Sequence, residues 1–134
     1  MKTIVLSVLM TLFITTGFSQ TFNFTSNEMC SREKSSSGTW TTWTDWVTVD
    51  VKIDLNLDKD QVIIHINSPM KYVITEYKPE AVDADGDTTY EFVCTDPDGV
   101  SCRIRLVFRK SQNDTIQLYI DYPSNMFAFN LKQV

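Results

Sequence analysis

From Val47 to Leu57 every odd position is apolar: Val47, Val49, Val51, Ile53, Leu55 and Leu57. The even positions between them are Thr48, Asp50, Lys52, Asp54 and Asn56. A period of two held over so long a run fits a β-strand with one dry and one wet face, and no helix. Asp58-Lys59-Asp60-Gln61 breaks the pattern, and Val62, Ile64 and Ile66 resume it on even positions. An odd-numbered dry face can lie beside an even-numbered one only across a two- or four-residue turn, because a slip of one residue turns every side chain to the other face. A turn centred on Lys59-Asp60 pairs Leu57 with Val62, Leu55 with Ile64 and Ile53 with Ile66, and sets Asp54 opposite His65.

The stretch "YEFVCTDPDGVSCRIRLVF" (90–108) reads as a second hairpin. In Asp96-Pro97-Asp98-Gly99 the proline presets its own φ and the glycine takes a left-handed conformation, which gives a type I turn with a glycine bulge. Tyr90 then faces Leu106, Phe92 faces Ile104, Cys94 faces Cys102, Glu91 meets Arg105 and Val93 meets Arg103. "KSQND" (110–114) turns the chain into Ile116, Leu118, Ile120 and Tyr122, with Arg105 opposite Tyr119 and Arg103 opposite Asp121. Phe127, Phe129 and Leu131 close the chain. Phe22 and Phe24 mark a first strand, 31–38 ("SREKSSSG") a polar loop, Met70 to Tyr77 a strand of open facing, and 79–87 a loop. Seven or eight antiparallel strands joined by short turns predict a single all-β meander. A small up-and-down barrel, which leaves no sheet edge, is preferred to a β-sandwich.

The first residues, "MKTIVLSVLMTLFITTGFSQ", carry the marks of a signal peptide: Lys2, an apolar run from Ile4 to Ile14, and the small residues Gly17 and Ser19 around Phe18. Cleavage is expected before Gln20, leaving 20–134 as one domain of an exported protein, periplasmic or secreted. The apolar run is too short to span a bilayer, and no later stretch qualifies, so the mature chain is expected to have no transmembrane segment. The formal net charge of −5 becomes one unit more negative once Lys2 is removed. That balance argues against nucleic acid and anionic lipid as partners.

Chemistry-bearing residues are few. Export permits disulfides, and the hairpin register opposes Cys94 and Cys102, so a bond is expected there with Cys30 left over. His65 is the only histidine; beside Asp54 it could act as a base, but no serine or cysteine stands in a nucleophile motif, so no catalytic residue is assigned. Zinc lacks a ligand set. Asp83, Asp85 and Asp87 are the best metal candidate, although glycine stands fourth instead of sixth for an EF-hand loop and Cys94 occupies the place of the twelfth-position glutamate. Neither a metal nor a cofactor is assigned.

Trp40, Trp43 and Trp46 remain. Continuing the strand register backwards puts Trp43 on the dry face, plugging one end of the core, with Trp40 and Trp46 on the wet face. In a polyproline II stretch all three would line one side. "WTTWT" resembles the Trp-Ser-x-Trp-Ser box of cytokine-receptor modules, where arginines stack between aromatics, with Thr41 and Thr44 in place of the serines. "WTTWTDW" resembles the tryptophan run of thrombospondin type 1 repeats, whose six-cysteine framework is absent here. Over the whole mature chain, the tryptophan entry, the alternating strand, "DGDTTYEFVCTDPDGVSCRIRL" and "LYIDY" resemble a group of small exported all-β proteins of Gram-negative bacteria that have no assigned activity. The reading that follows is a non-enzymatic binding or interaction module with a patch of Trp40, Trp43 and Trp46, taking a protein or carbohydrate partner. An envelope-associated structural protein or inhibitor is the alternative, and a small exported hydrolase stands third.

Overall fold

The computed structural model describes residues 20–134, so the expected signal peptide lies outside the described residues. Nine strands follow one another: β1 (Thr21–Glu33), β2 (Val47–Asn56), β3 (Gln61–Ile66), β4 (Ser68–Tyr77), β5 (Ala81–Val82), β6 (Thr88–Thr95), β7 (Ser101–Arg109), β8 (Thr115–Asp121) and β9 (Asn125–Gln133). Each pairs antiparallel with its neighbours, β9 returns to β1, and β4 pairs with β6. The result is a closed eight-stranded up-and-down barrel, with β5 as a short extra strand on β6. Closure removes the unpaired edges that an open meander of these strands would expose.

An eight-stranded barrel is just wide enough for side chains to fill. Tyr90, Phe24, Phe92, Phe129, Ile53, Leu57, Ile64, Ile104, Leu106 and Val62 are fully buried within it. These are the alternate residues of the sequence pattern, and the dry face is the lumen.

The hairpin from β6 to β7 has the expected register throughout, with Tyr90 facing Leu106, Phe92 facing Ile104 and Cys94 facing Cys102. Gly99 has φ 85° and donates its N–H to the Asp96 carbonyl at 3.0 Å. The Asp96 carboxylate accepts the N–H groups of Asp98 and Val100 and the Tyr122 hydroxyl, and the Val100 N–H above all holds its pKa below the usual carboxylate range. β7 and β8 also pair as expected, Arg105 with Tyr119 and Arg103 with Asp121.

Three expectations are corrected. The β2–β3 register is shifted by two residues: Leu55 faces Val62, Ile53 faces Ile64 and His65 faces Lys52. Leu57 is drawn into the core instead of pairing with Val62, and the turn runs over 57–60. Asn56 Oδ1 accepts the Lys59 N–H at 3.1 Å, while Asp60, left-handed at φ 52°, accepts the Ile74 N–H through its carbonyl and the Tyr77 hydroxyl through its carboxylate at 2.6 Å. Parity survives because the shift is even.

Second, β1 runs on through Ser31, Arg32 and Glu33, which the sequence pattern assigned to a loop. The pairing of β1 slips between Ser26 and Glu28 on both sides: against β9 Asn27 is the extra residue of a β-bulge, and against β2 the two residues Val49 and Asp50 lie opposite Asn27. Phe22, Phe24 and Ser26 point inward on even numbers, whereas beyond the bulge Met29 packs on the core and Glu28, Cys30 and Arg32 face out.

Third, Cys94 and Cys102 form no disulfide; all three cysteines are free and buried. Opposition across a hairpin brings the two Cβ atoms near, but a disulfide also needs the sulfurs turned toward each other. The Cys94 thiol is instead directed at the Phe92 carbonyl of its own strand, 3.7 Å away. Burial pushes the Cys94 thiol up to about 12 and that of Cys102 up to about 11, so neither supplies thiolate near neutral pH.

Tyr90 lies at the centre of the core with no exposure, and its hydroxyl has no hydrogen-bond partner among the described residues. An unpaired buried hydroxyl costs roughly 1–3 kcal/mol. Tyr90→Phe is therefore expected to raise the free energy of unfolding by about 1 kcal/mol in a denaturant titration. Ile104→Ala, which empties part of the same core, is expected to lower it by roughly 2–5 kcal/mol. A loss of stability in Tyr90→Phe would contradict the unpaired assignment.

Candidate functional site on the outer wall

The segment between β1 and β2 is a strap over the outside of the barrel. Gly38, at φ 84°, donates to the Ser35 carbonyl at 2.9 Å, and Ser35 donates to the Thr39 carbonyl at 2.8 Å. That turn returns the chain along the edge of β1 that β2 has not yet reached, since β2 begins pairing only at Val47 opposite Met29. A bridge joins Lys34 to Trp40.

Two threonines then clip the strap to β1. Thr41 donates its N–H to the Glu33 carbonyl at 2.8 Å, and its Oγ1 accepts the Glu33 N–H at 3.2 Å. Thr44 treats Ser31 the same way, at 2.8 and 3.0 Å. Each hydroxyl replaces the carbonyl that a regular strand would supply, so β1 keeps its bonds where no regular strand lies beside it. The strap advances three residues, Thr41 to Thr44, for two residues of β1, Glu33 to Ser31.

That period decides where the tryptophans go. Trp40 and Trp43 lie on one side, with the Arg32 guanidinium between them, 5.0 Å from one ring and 4.7 Å from the other. Lys34 lies 5.2 Å from the Trp40 ring. Trp43 meets Tyr119 edge-on at 6.1 Å, and Arg105 stacks 4.4 Å from the Tyr119 ring while holding Asp121 through two hydrogen bonds. Cations and aromatics therefore form one row across the wall from Lys34 to Arg105. Trp43 is not the expected core plug: it is half-buried against the outer wall, because a three-residue period cannot continue the two-residue alternation of β2.

Trp46 ends the strap and is 44% exposed. It borders two hollows. One, of about 230 Å³, lies under the strap over Cys30, Ala128 and Tyr119. Burial raises the Cys30 thiol above its ordinary value, which makes it a poor nucleophile. The other is an open cleft of about 470 Å³ whose wall includes Glu28, Gln117, Asn130 and Lys132.

Across the floor of that wall runs a polar chain that sequence reasoning missed. Arg109 Nε donates to Gln117 Oε1, Gln117 Nε2 to Asn130 Oδ1 at 2.9 Å, and Asn130 Nδ2 to Glu28 Oε2 at 2.9 Å. One residue comes from each of β7, β8, β9 and β1, which are neighbours in the barrel. The cation at one end and the carboxylate at the other fix the direction of both amides. Outward alternation on β8 marks Gln117 from sequence; the bulge hides Glu28.

The aspartate loop belongs to the same construction. The carboxylate oxygens of Asp83, Asp85 and Asp87 come within 4.8 Å of one another. Asp83 Oδ1 accepts the N–H groups of Asp85 and Asp87, which shapes the loop. Asp87 is buried, accepts the Ser111 N–H and hydroxyl, and lies 3.7 Å from Arg109. The Ser111 bonds first, then Arg109, hold the pKa of Asp87 below the usual carboxylate range. Asp87 thereby anchors the donor end of the polar chain.

His65 and Asp54 do meet, Nε2 to Oδ2 at 3.0 Å, but diagonally, with Lys52 Nζ 4.0 Å from the same oxygen. They form a cluster on the barrel exterior, apart from the strap. Among the described residues no helix is long and apolar enough to cross a membrane.

The fold and site thus define a small up-and-down β-barrel with an aromatic strap clamped to its outer wall. Comparison with known protein families, with curated proteins and with solved structures finds no match.

Removing the Thr44 clip tests the strap. Thr44→Val keeps the shape and deletes one acceptor, at an expected cost of about 0.5–1.5 kcal/mol. Tryptophan emission should shift to the red as the strap loosens, with the far-ultraviolet circular dichroism of the barrel unchanged. Unchanged emission and stability would contradict the clip.

Proposed function

We propose that the protein is an exported, non-enzymatic binding module whose contact surface is the strap, with Trp40 and Trp46 as its outer elements. One observation carries the reading: three large aromatics are held outside a barrel whose core is already filled. Trp46 leaves 44% of its surface in water, where aromatic side chains cost apolar exposure unless a partner covers them. Trp40 borders a second cleft, of about 620 Å³, together with Lys34, Arg103 and Asp121. The clamp of Arg32 and the threonine clips make the surface rigid before binding, which lowers the ordering cost of association.

Export is supported by the signal-like pattern of residues 1–19, and the non-enzymatic reading by chemistry: the free thiols are buried, which raises their pKa values, and His65 is tied to Asp54 on the surface. Partners in this reading are a protein or a carbohydrate of the cell envelope or the surrounding medium.

The test is retention of solubilised envelope protein and polysaccharide on the immobilised protein. Replacing Trp40 and Trp46 together by alanine is expected to reduce retention at least tenfold, with the melting temperature of the barrel within a few degrees of the parent. His65→Ala should retain as the parent does. Equal retention by the double variant would overturn the strap as the contact surface, and loss in His65→Ala alone would point to the ion cluster instead.

A further inference from the structure

We infer that the 470 Å³ cleft beside Trp46 is a carbohydrate site, taking a neutral pyranose sugar stacked on the indole. This rests on the binding-module reading and names the ligand class and the place. The cleft's volume is within the roughly 300–1,000 Å³ of small-molecule sites.

A sugar presents an apolar C–H face and a rim of hydroxyls, each both donor and acceptor. A site for it needs a flat aromatic and a row of fixed amides or carboxylates beside it. The cleft supplies both. Trp46 is one wall, and Asn27, Glu28, Gln112, Gln117 and Asn130 are among the polar residues of the lining. Gln117 and Asn130 are held by the chain of bonds from Arg109 to Glu28. That chain uses one hydrogen of each amide nitrogen; each nitrogen carries two. Glu28 is engaged through Oε2, and a carboxylate has a second oxygen. The remaining capacity is therefore a set of alternating donors and acceptors on a rigid floor, which suits vicinal hydroxyls. The lining carries one carboxylate, Glu28, and one ammonium, Lys132, so the cleft has no net charge to select an anion or a cation.

Trp46 suits this role where its neighbours in the strap do not. Trp40 is flanked by Arg32 and Lys34, and Trp43 by Arg32 and Tyr119. Trp46 borders open space on the cleft side. The bulge at Asn27 makes the site possible, because it turns Glu28 outward to end the amide row and puts Asn27 on the cleft rim.

The experiment is an array of neutral oligosaccharides, hexose and N-acetylhexosamine oligomers in α and β linkage, probed with the mature chain and with Trp46→Ala, Asn130→Ala, Gln117→Glu and His65→Ala. The parent is expected to retain at least one neutral glycan. Trp46→Ala should weaken that binding at least tenfold, and Asn130→Ala and Gln117→Glu at least fivefold, while His65→Ala, away from the strap, stays within twofold. Melting curves identify folded variants; Trp46 is exposed, so its replacement tests the site even if an amide variant unfolds. The inference is overturned if the parent retains no glycan, or if glycan binding is unchanged in folded Trp46→Ala. A parent that captures envelope protein through Trp40 and Trp46 but no glycan overturns the sugar site and leaves the binding-module reading standing. Loss of both removes the two together.

Discussion

The one-residue bulge in β1 is the constraint on which the rest of the molecule depends. β1 closes the barrel by pairing with β2 on one side and β9 on the other. Before Asn27 its even-numbered residues fill the lumen; after it they face outward. Phe22 and Phe24 can therefore belong to the core while Glu28, Cys30 and Arg32, of the same parity, belong to the outer wall. Without the extra residue Arg32 would point into an apolar interior, where an unpaired charge costs several kcal/mol. With it, the guanidinium lies between two indoles.

From that strand the outer wall is organised in two rows. The aromatic row runs from Lys34 through Trp40, Arg32, Trp43 and Tyr119 to Arg105. The polar row runs from Asp87 through Arg109, Gln117 and Asn130 to Glu28. Both cross β7, β8, β9 and β1. Arg109 links them, since its guanidinium also donates to the Tyr119 hydroxyl at 3.1 Å. A barrel wall is well suited to such rows because neighbouring strands present outward residues side by side at a fixed spacing. The interior supplies rigidity, and the exterior supplies the chemistry.

Much of this was legible in the sequence because a strand's parity is written in alternate letters. The β6–β7 hairpin and the β7–β8 pairing follow residue by residue from Asp96-Pro97-Asp98-Gly99 and from the alternation on either side. The β2–β3 register was wrong by two because parity cannot separate registers that differ by an even number; the burial of Leu57 decides between them. The bulge was hidden because polar and apolar letters alternate weakly from Asn27 to Arg32. Trp43 was misplaced for a related reason: a strap with a three-residue period was extrapolated from a strand with a two-residue one. Cys94 and Cys102 were correctly opposed, yet opposition does not fix the direction of a thiol. Sequence shows the acids of the 83–87 loop but not the Arg109 and Ser111 that meet Asp87.

The central claim is that Arg32 binds the strap to the barrel by lying between Trp40 and Trp43. A double-mutant cycle on Arg32→Ala and Trp43→Ala, read from unfolding free energies, measures that contact directly. A guanidinium partly shielded between rings should couple to Trp43 by about 1 kcal/mol. If the two substitutions add to within about 0.3 kcal/mol, the arginine does not hold the strap and the account is contradicted.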